Sequence, residues 1–187
     1  MQPTNHLSAA TRGPGAGPAT PTMDIRHTDA NCSVVTHGSC FIVIWHNDTE
    51  LSAVRRLSEI FRGFIDQQPS KVTFLTIVDA GAPVPSSEAR TALASFMSQA
   101  GERIGASAVI FEGSGFRAAA VRSVVTGLTM LARQGYPHKV FATLTEGIMW
   151  INATMRAVHA PELALAASFA TGISELRGTL GSHGKPN

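Results

Sequence analysis

The chain has 187 residues, enough for one domain with a substantial core. Its composition, 44% hydrophobic against 15% charged, excludes a disordered protein, and a net charge of +2 on scattered basic residues excludes the dense positive stripe that nucleic-acid backbones require. No apolar run approaches the roughly 20 residues needed to cross a bilayer, so no membrane span is expected.

Residues 1–31 are rich in Pro, Gly, Ala and Thr without hydrophobic period, the composition of a disordered leader. They lack the charged start and apolar core of a secretory signal, so a cytoplasmic location is expected. From Cys32 the pattern changes: SVV, THGS and FIVIW read as an antiparallel hairpin turning at His37-Gly38. In that register Cys40 faces Val35 and Cys32 faces Val43, out of register for a disulfide, and reduced thiols are expected.

Asn47-Asp48-Thr49 supplies N-cap chemistry for a helix whose apolar stripe is Leu51, Val54, Leu57, Phe61 and Phe64. Lys71 to Asp79 is a β-branched apolar run suited to a central strand. Ser86 then caps a helix with Glu88 in its first turn and Ala89, Leu93, Phe96, Met97 and Ala100 on its buried side. The next unit is a strand over Ala106 to Phe111, a glycine turn over Glu112 to Gly115, and a helix from Phe116 to about Arg133. His138 to Leu144 reads as a further strand, and Thr145-Glu146 opens a helix. Pro161 and Glu162 start a last helix, and residues 181–187 form a flexible tail.

This order predicts an α/β fold, a mixed sheet of about five strands with an N-terminal hairpin followed by parallel βα units and helices packed on it. The domain is expected over 32–157, with an extra amphipathic helix over 158–180. Between about Cys32 and Ala157 the order resembles the STAS-like fold of sporulation anti-anti-sigma factors and, more distantly, the lipid-binding CRAL-TRIO proteins. The segments Gly81 to Arg90 (GAPVPSSEAR) and Phe111 to Arg122 (FEGSGFRAAAVR) look most like those of uncharacterised bacterial STAS-like proteins.

In anti-anti-sigma factors the equivalent strand-to-helix loop ends in Asp-Ser-Ser-Gly, and a cognate kinase phosphorylates its serine. Here the place reads Val84-Pro85-Ser86-Ser87-Glu88. The resemblance thus marks Ser86 and Ser87 as candidate switch residues, although the Asp and Gly are missing and Glu88 puts negative charge where a phosphate would go.

Gly113 to Ala118 satisfies the spacing of a dinucleotide turn, but the turn lies in a late βα unit and Glu112 opposes a phosphate. A tight turn that needs small residues is expected, and no cofactor. Residues beyond the strand C-termini gather along one edge, where ligands of such sheets bind. His46, Asp79, Ser114 and Arg117 are the candidate ligand or anion edge, with Arg117 expected to pair with Glu112 or Asp79. His46, Asp79 and Ser86 could be drawn as a hydrolytic triad, yet no nucleophile-elbow sequence is present and Ser86 serves as a cap, so no catalytic residue is expected.

The dispersed histidines show no metal-ligand spacing. Arg122, Thr126, Thr129 and Arg133 share one helix stripe that reads as a solvated or docking face. Leu165, Phe169, Ile173 and Leu176 form an apolar stripe beyond the core fold and read as an oligomer contact. The expected function is a non-enzymatic regulatory or protein-interaction module, partnered by another protein or by itself. The alternative is a carrier or sensor of a small anionic or lipid-like ligand, and third an enzyme without a recognisable motif.

Overall fold

The computed structural model describes residues 22–113, 115–132, 135–163 and 166–183. Its strands are β1 (Asp24–Thr28), β2 (Cys32–His37), β3 (Cys40–Trp45), β4 (Val72–Val78), β5 (Ile104–Phe111) and β6 (His138–Phe141). They lie side by side in that order in one sheet. The first three pair antiparallel and the rest parallel, giving a mixed α/β sheet. Each parallel connection carries a helix: α1 (Leu51–Asp66), α2 (Ser87–Ala100) with a 3-10 turn after it, and α3 (Gly115–Ala132). Two helices, α4 (Leu144–Ala157) and α5 (Ala166–His183), follow β6.

The central strands are buried on both faces, which is why they read as continuous apolar runs rather than as alternation. One face carries the aromatic cluster Phe41, Phe61, Phe64, Phe74 and Phe96 beneath α1 and α2. Edge-on and tilted ring pairs there add about 0.5–1.5 kcal/mol each beyond area burial. The opposite face packs Ile42, Leu75, Ala108 and Ile110 against Ile148, Ile151 and Met155 of α4 and Phe169 and Ile173 of α5.

Several expectations need correction. Part of the expected leader is ordered: Asp24–Thr28 is an edge strand held to β2, and Arg26 Nε donates to Thr36 Oγ1 at 2.9 Å. The hairpin turns at Gly38-Ser39 rather than His37-Gly38, because His37 pairs with Cys40 and Cys32 with Trp45. Gly38 takes the left-handed conformation this two-residue turn demands (φ 54°). The two buried, free cysteines therefore sit at opposite ends of the hairpin. Helix α1 begins after Glu50 without a side-chain cap, so the expected capping run lies before it, and Leu51 is exposed. Thr143, not Thr145, caps α4, accepting from Glu146 N, and β6 ends three residues earlier than expected.

The largest correction concerns α5. Phe169 and Ile173 are completely buried by the chain's own sheet and α4, and Leu176 packs against the same cluster. They are core residues and not a free oligomer contact; Leu165 lies outside the described residues. Phe169→Ala should cost about 3–5 kcal/mol, read as a fall in urea midpoint, and leave the molar mass from light scattering unchanged. A change of oligomeric state at unchanged stability would return this stripe to an interface.

Candidate functional site

With both sheet faces filled, β3, β4 and β5 carry no charged side chain along their length, and the charged groups stand at their ends. His46, Asp79 and Glu112 directly follow β3, β4 and β5, so parallel pairing aligns them along one edge. His46 Nδ1 lies 2.8 Å from Asp79 Oδ2, and Arg177 of α5 crosses the edge to donate to Asp79 Oδ1 (2.6 Å) and Glu112 Oε2 (3.0 Å). Behind His46, its Nε2 lies 2.9 Å from Ser33 Oγ, which lies 2.9 Å from Thr28 Oγ1. One chain of hydrogen bonds thus joins α5, three parallel strand ends and the β1–β2 pair.

Asp79 can only accept, so Nδ1 of His46 carries a hydrogen, and in the neutral ring Nε2 accepts from Ser33. Ser–His–Asp connectivity is therefore present, with Ser33 in the place where Ser86 could be drawn. Ser33 is fully buried and its oxygen is shared with Thr28, so an attacking geometry on a carbonyl is closed to it. Ser86 instead caps α2, accepting from Ala89 N at 3.2 Å. Burial alone would raise the Asp79 pKa, but the hydrogen bonds from His46 and Arg177 and the Arg177 charge hold it below the usual carboxylate value.

Arg177 pairs with both Asp79 and Glu112, the partners expected of Arg117. Ser114 and Arg133, and the side chains of Arg117 and Thr129, lie outside the described residues. Arg122 and Thr126 are exposed on α3, with Thr126 Oγ1 donating to Arg122 O at 2.8 Å. Ser86 and Ser87 are exposed at the start of α2. In the glycine turn, Gly115 has φ 65°, and a Cβ on Gly113 would collide with the Phe111 ring, so both positions need glycine for shape.

Arg177 was legible in outline: it continues the four-residue steps of Phe169 and Ile173, and a charge in line with a buried stripe calls for a partner at the core's rim. Ser33 carried no such signal. At the other end of the sheet edge, His27, Asp29 and Cys32 bring ligand-type atoms within 4.8 Å of one another. The Arg56 guanidinium already bonds both His27 Nε2 and Asp29 Oδ2, and burial pushes the Cys32 thiol up to about 11, so the cluster is an ion-paired tie rather than a metal site.

A second feature lies between the sheet and α1, α2 and α3: an apolar cavity of about 90 Å³ bounded by Phe74, Leu93, Phe96, Val109, Val121 and the loop Ala82–Pro85. His138 of β6 also lines it. Its Nδ1 meets Ser107 Oγ at 3.0 Å, whereas its Nε2 is enclosed without a hydrogen-bond partner among the described residues. An orphaned buried polar group of this kind costs about 1–3 kcal/mol.

No protein-family model matches the chain, and none of the curated proteins matches it. Among solved structures it is similar to an uncharacterised protein of the DUF3478 family from Shewanella loihica PV-4 with a SpoIIAA-like fold, at 11% identity and a TM-score of 0.42. The match covers 74% of this chain and 98% of that one. The mixed α/β class rests on the sheet order itself, an antiparallel hairpin followed by parallel βα units.

Two expectations follow. Arg177→Ala strips Asp79 and Glu112 of their shared cation and should lower stability by about 1–2 kcal/mol at pH 7. Because the folded Asp79 pKa is depressed, that difference should shrink as the pH falls through and below 3.8, which parallel denaturation curves will read. Burial lowers the His138 pKa from 6.5 to about 4, so between those values the unfolded chain binds more protons. Stability should fall by up to about 3 kcal/mol as the pH drops through that window, and His138→Phe should remove the fall.

Proposed function

We propose that this chain is a non-enzymatic regulatory module that docks another protein on the strand C-terminal edge. The observation that carries the reading is Phe116, in the first turn of α3, which is 89% exposed. A solvent-facing aromatic side chain costs hydration free energy unless a partner covers it, and aromatic residues dominate interface energetics. Val84, on the loop after the neighbouring strand, is also exposed, and Ser86 and Ser87 follow it directly. A partner seated on Phe116 and Val84 therefore lies beside the two candidate switch serines. Arg122 and Thr126, six and ten residues further along α3, are exposed as well.

Other readings have less support. Among the described side chains Asp79 and Glu112 outnumber Arg177, their shared cation, a balance that gives an anion little support there. A lipid-like ligand needs a pocket of roughly 300 Å³ or more, well above the cavity beneath α2 and α3. Among the described residues no helix is long and apolar enough to cross a membrane. The partner is expected in the cytoplasm, and it is another protein rather than a second copy joined through α5.

Capture from native cytosol with the full chain and with Phe116→Ser tests this. A protein held by the wild type should fall at least tenfold with Phe116→Ser while the melting temperature stays within about 2 °C, since the side chain packs on nothing of its own. Ser87→Glu should change the captured amount in the same assay. Equal capture by wild type and both variants refutes the docking edge.

A further inference from the structure

We infer that the outer edge of β6 pairs with the β6 of a second copy of this chain, antiparallel about a two-fold axis at Val140, so that the two sheets run on as one. The sheet order ends in β6, and its pairing with β5 fixes which backbone groups face outward. Ser107 N donates to Pro137 O at 2.9 Å, so the alternation of a parallel ladder turns residues 137, 139 and 141 toward β5 and His138 and Val140 away from it. Among the described residues no hydrogen bond reaches the backbone N–H and C=O of His138 and Val140. An unpaired row of this kind is a template for another strand.

The two edges of the sheet are unlike. β1 carries Asp24, Arg26 and His27 within five residues, and its register with β2 shifts between Ile25 and His27. An edge so charged and irregular resists pairing. β6, by contrast, keeps register with β5 at every position, and with His138 neutral at pH 7 its one charged side chain is Lys139.

That lysine decides what can lie opposite. An axis at Lys139 would set the two ammonium groups against one another, and like charges directly opposite destabilise a pair. An axis at His138 would leave Lys139 opposite Pro137, which lies beyond the strand. With the axis at Val140, the two copies of that residue exchange both backbone hydrogen bonds, and Lys139 lies opposite Phe141 of the partner subunit in the closer, non-hydrogen-bonded pair. Lys139 Nζ already stands 5.3 Å from the centre of its own Phe141 ring, so this register adds a second ring to the cation. The strand's one charge thus meets its complement in a copy of the strand. Phe141 and Trp150 of α4, with ring centroids 5.5 Å apart, are both only half-buried beside this edge. A second copy covers that aromatic pair while it satisfies the backbone, which is the self-complementary surface a two-fold dimer needs.

This border is separate from the docking edge, so either can fail alone. Sedimentation of the full chain at pH 7, from about 1 to about 300 µM, should show a reversible species of twice 19.7 kDa. Hydrogen exchange at the upper concentration should be at least tenfold slower at the amides of His138 and Val140, and within about twofold at those of Lys139 and Phe141, which bond β5 in either state. Val140→Pro removes an outward donor that β5 does not use and should weaken the dimer at least tenfold. Lys139→Glu, which puts a carboxylate against each ring, should weaken it about fivefold. A monomer throughout the range overturns the inference, and so does a dimer that leaves exchange at His138 and Val140 unchanged. Loss of the dimer in Phe116→Ser would move the contact to the docking edge, and slowing of the two amides only in native cytosol would give β6 to another protein; either result overturns it as well. The wild-type exchange pattern decides the matter even where Val140→Pro fails to fold.

Discussion

Burial of both faces of β3, β4 and β5 is the constraint on which the rest of the structure depends. A strand covered on two sides has no place for a charged side chain along its length, so His46, Asp79 and Glu112 appear at the first position past the core. Parallel pairing then sets those three ends side by side. The site is thus a by-product of a filled sheet, and its residues are neighbours in space although 33 residues separate His46 from Asp79.

Two unlike polar arrangements result. At the strand C-terminal edge Asp79 and Glu112 share Arg177, and His46 is held between Asp79 and Ser33. That network fastens α5 across the sheet, and its half-buried Asp79–Arg177 pair is bonded through well-placed oxygens and nitrogens, the condition under which such a pair offsets its desolvation. Beneath α2 and α3, by contrast, the His138 Nε2 stays enclosed without a partner among the described residues. Filling that space with one more apolar side chain and replacing His138 by a hydrocarbon would serve packing better, so the vacancy and the orphan nitrogen together mark the place where the fold gives up stability.

The elements with a strong hydrophobic period were legible in the sequence, and those fixed by pairing were not. Ser86 followed by the Ala89–Ala100 stripe located α2 within a residue, because the cap and the apolar face both come from local chemistry. The strand Asp24–Thr28 has the sequence DIRHT and mostly exposed side chains, so only its hydrogen bonds to β2 make it a strand. The hairpin register slipped by two residues for the same kind of reason: His37 looks like a turn residue beside Gly38, yet its backbone pairs with Cys40. The apolar stripe of α5 was read correctly as something that must be covered, but the sequence could not say by what. His46 and Asp79 were found because strand ends are legible, whereas Ser33 was missed because a buried serine inside an apolar strand gives no sign of its partner across the sheet.

The connection from β4 to α2 joins these features mechanically. It leaves Asp79, whose carboxylate is held by His46 and Arg177, turns back as Ala82 N donates to Asp79 O, and ends at Ser86, whose hydroxyl caps α2. Pro83 and Pro85 fix two further backbone angles between those anchors. A segment pinned at both ends and stiffened in the middle presents Val84 to solvent and its own wall to the cavity with little freedom to move either independently. The wall of the cavity and the exposed Val84 therefore belong to one short segment, which opens α2 at Ser86.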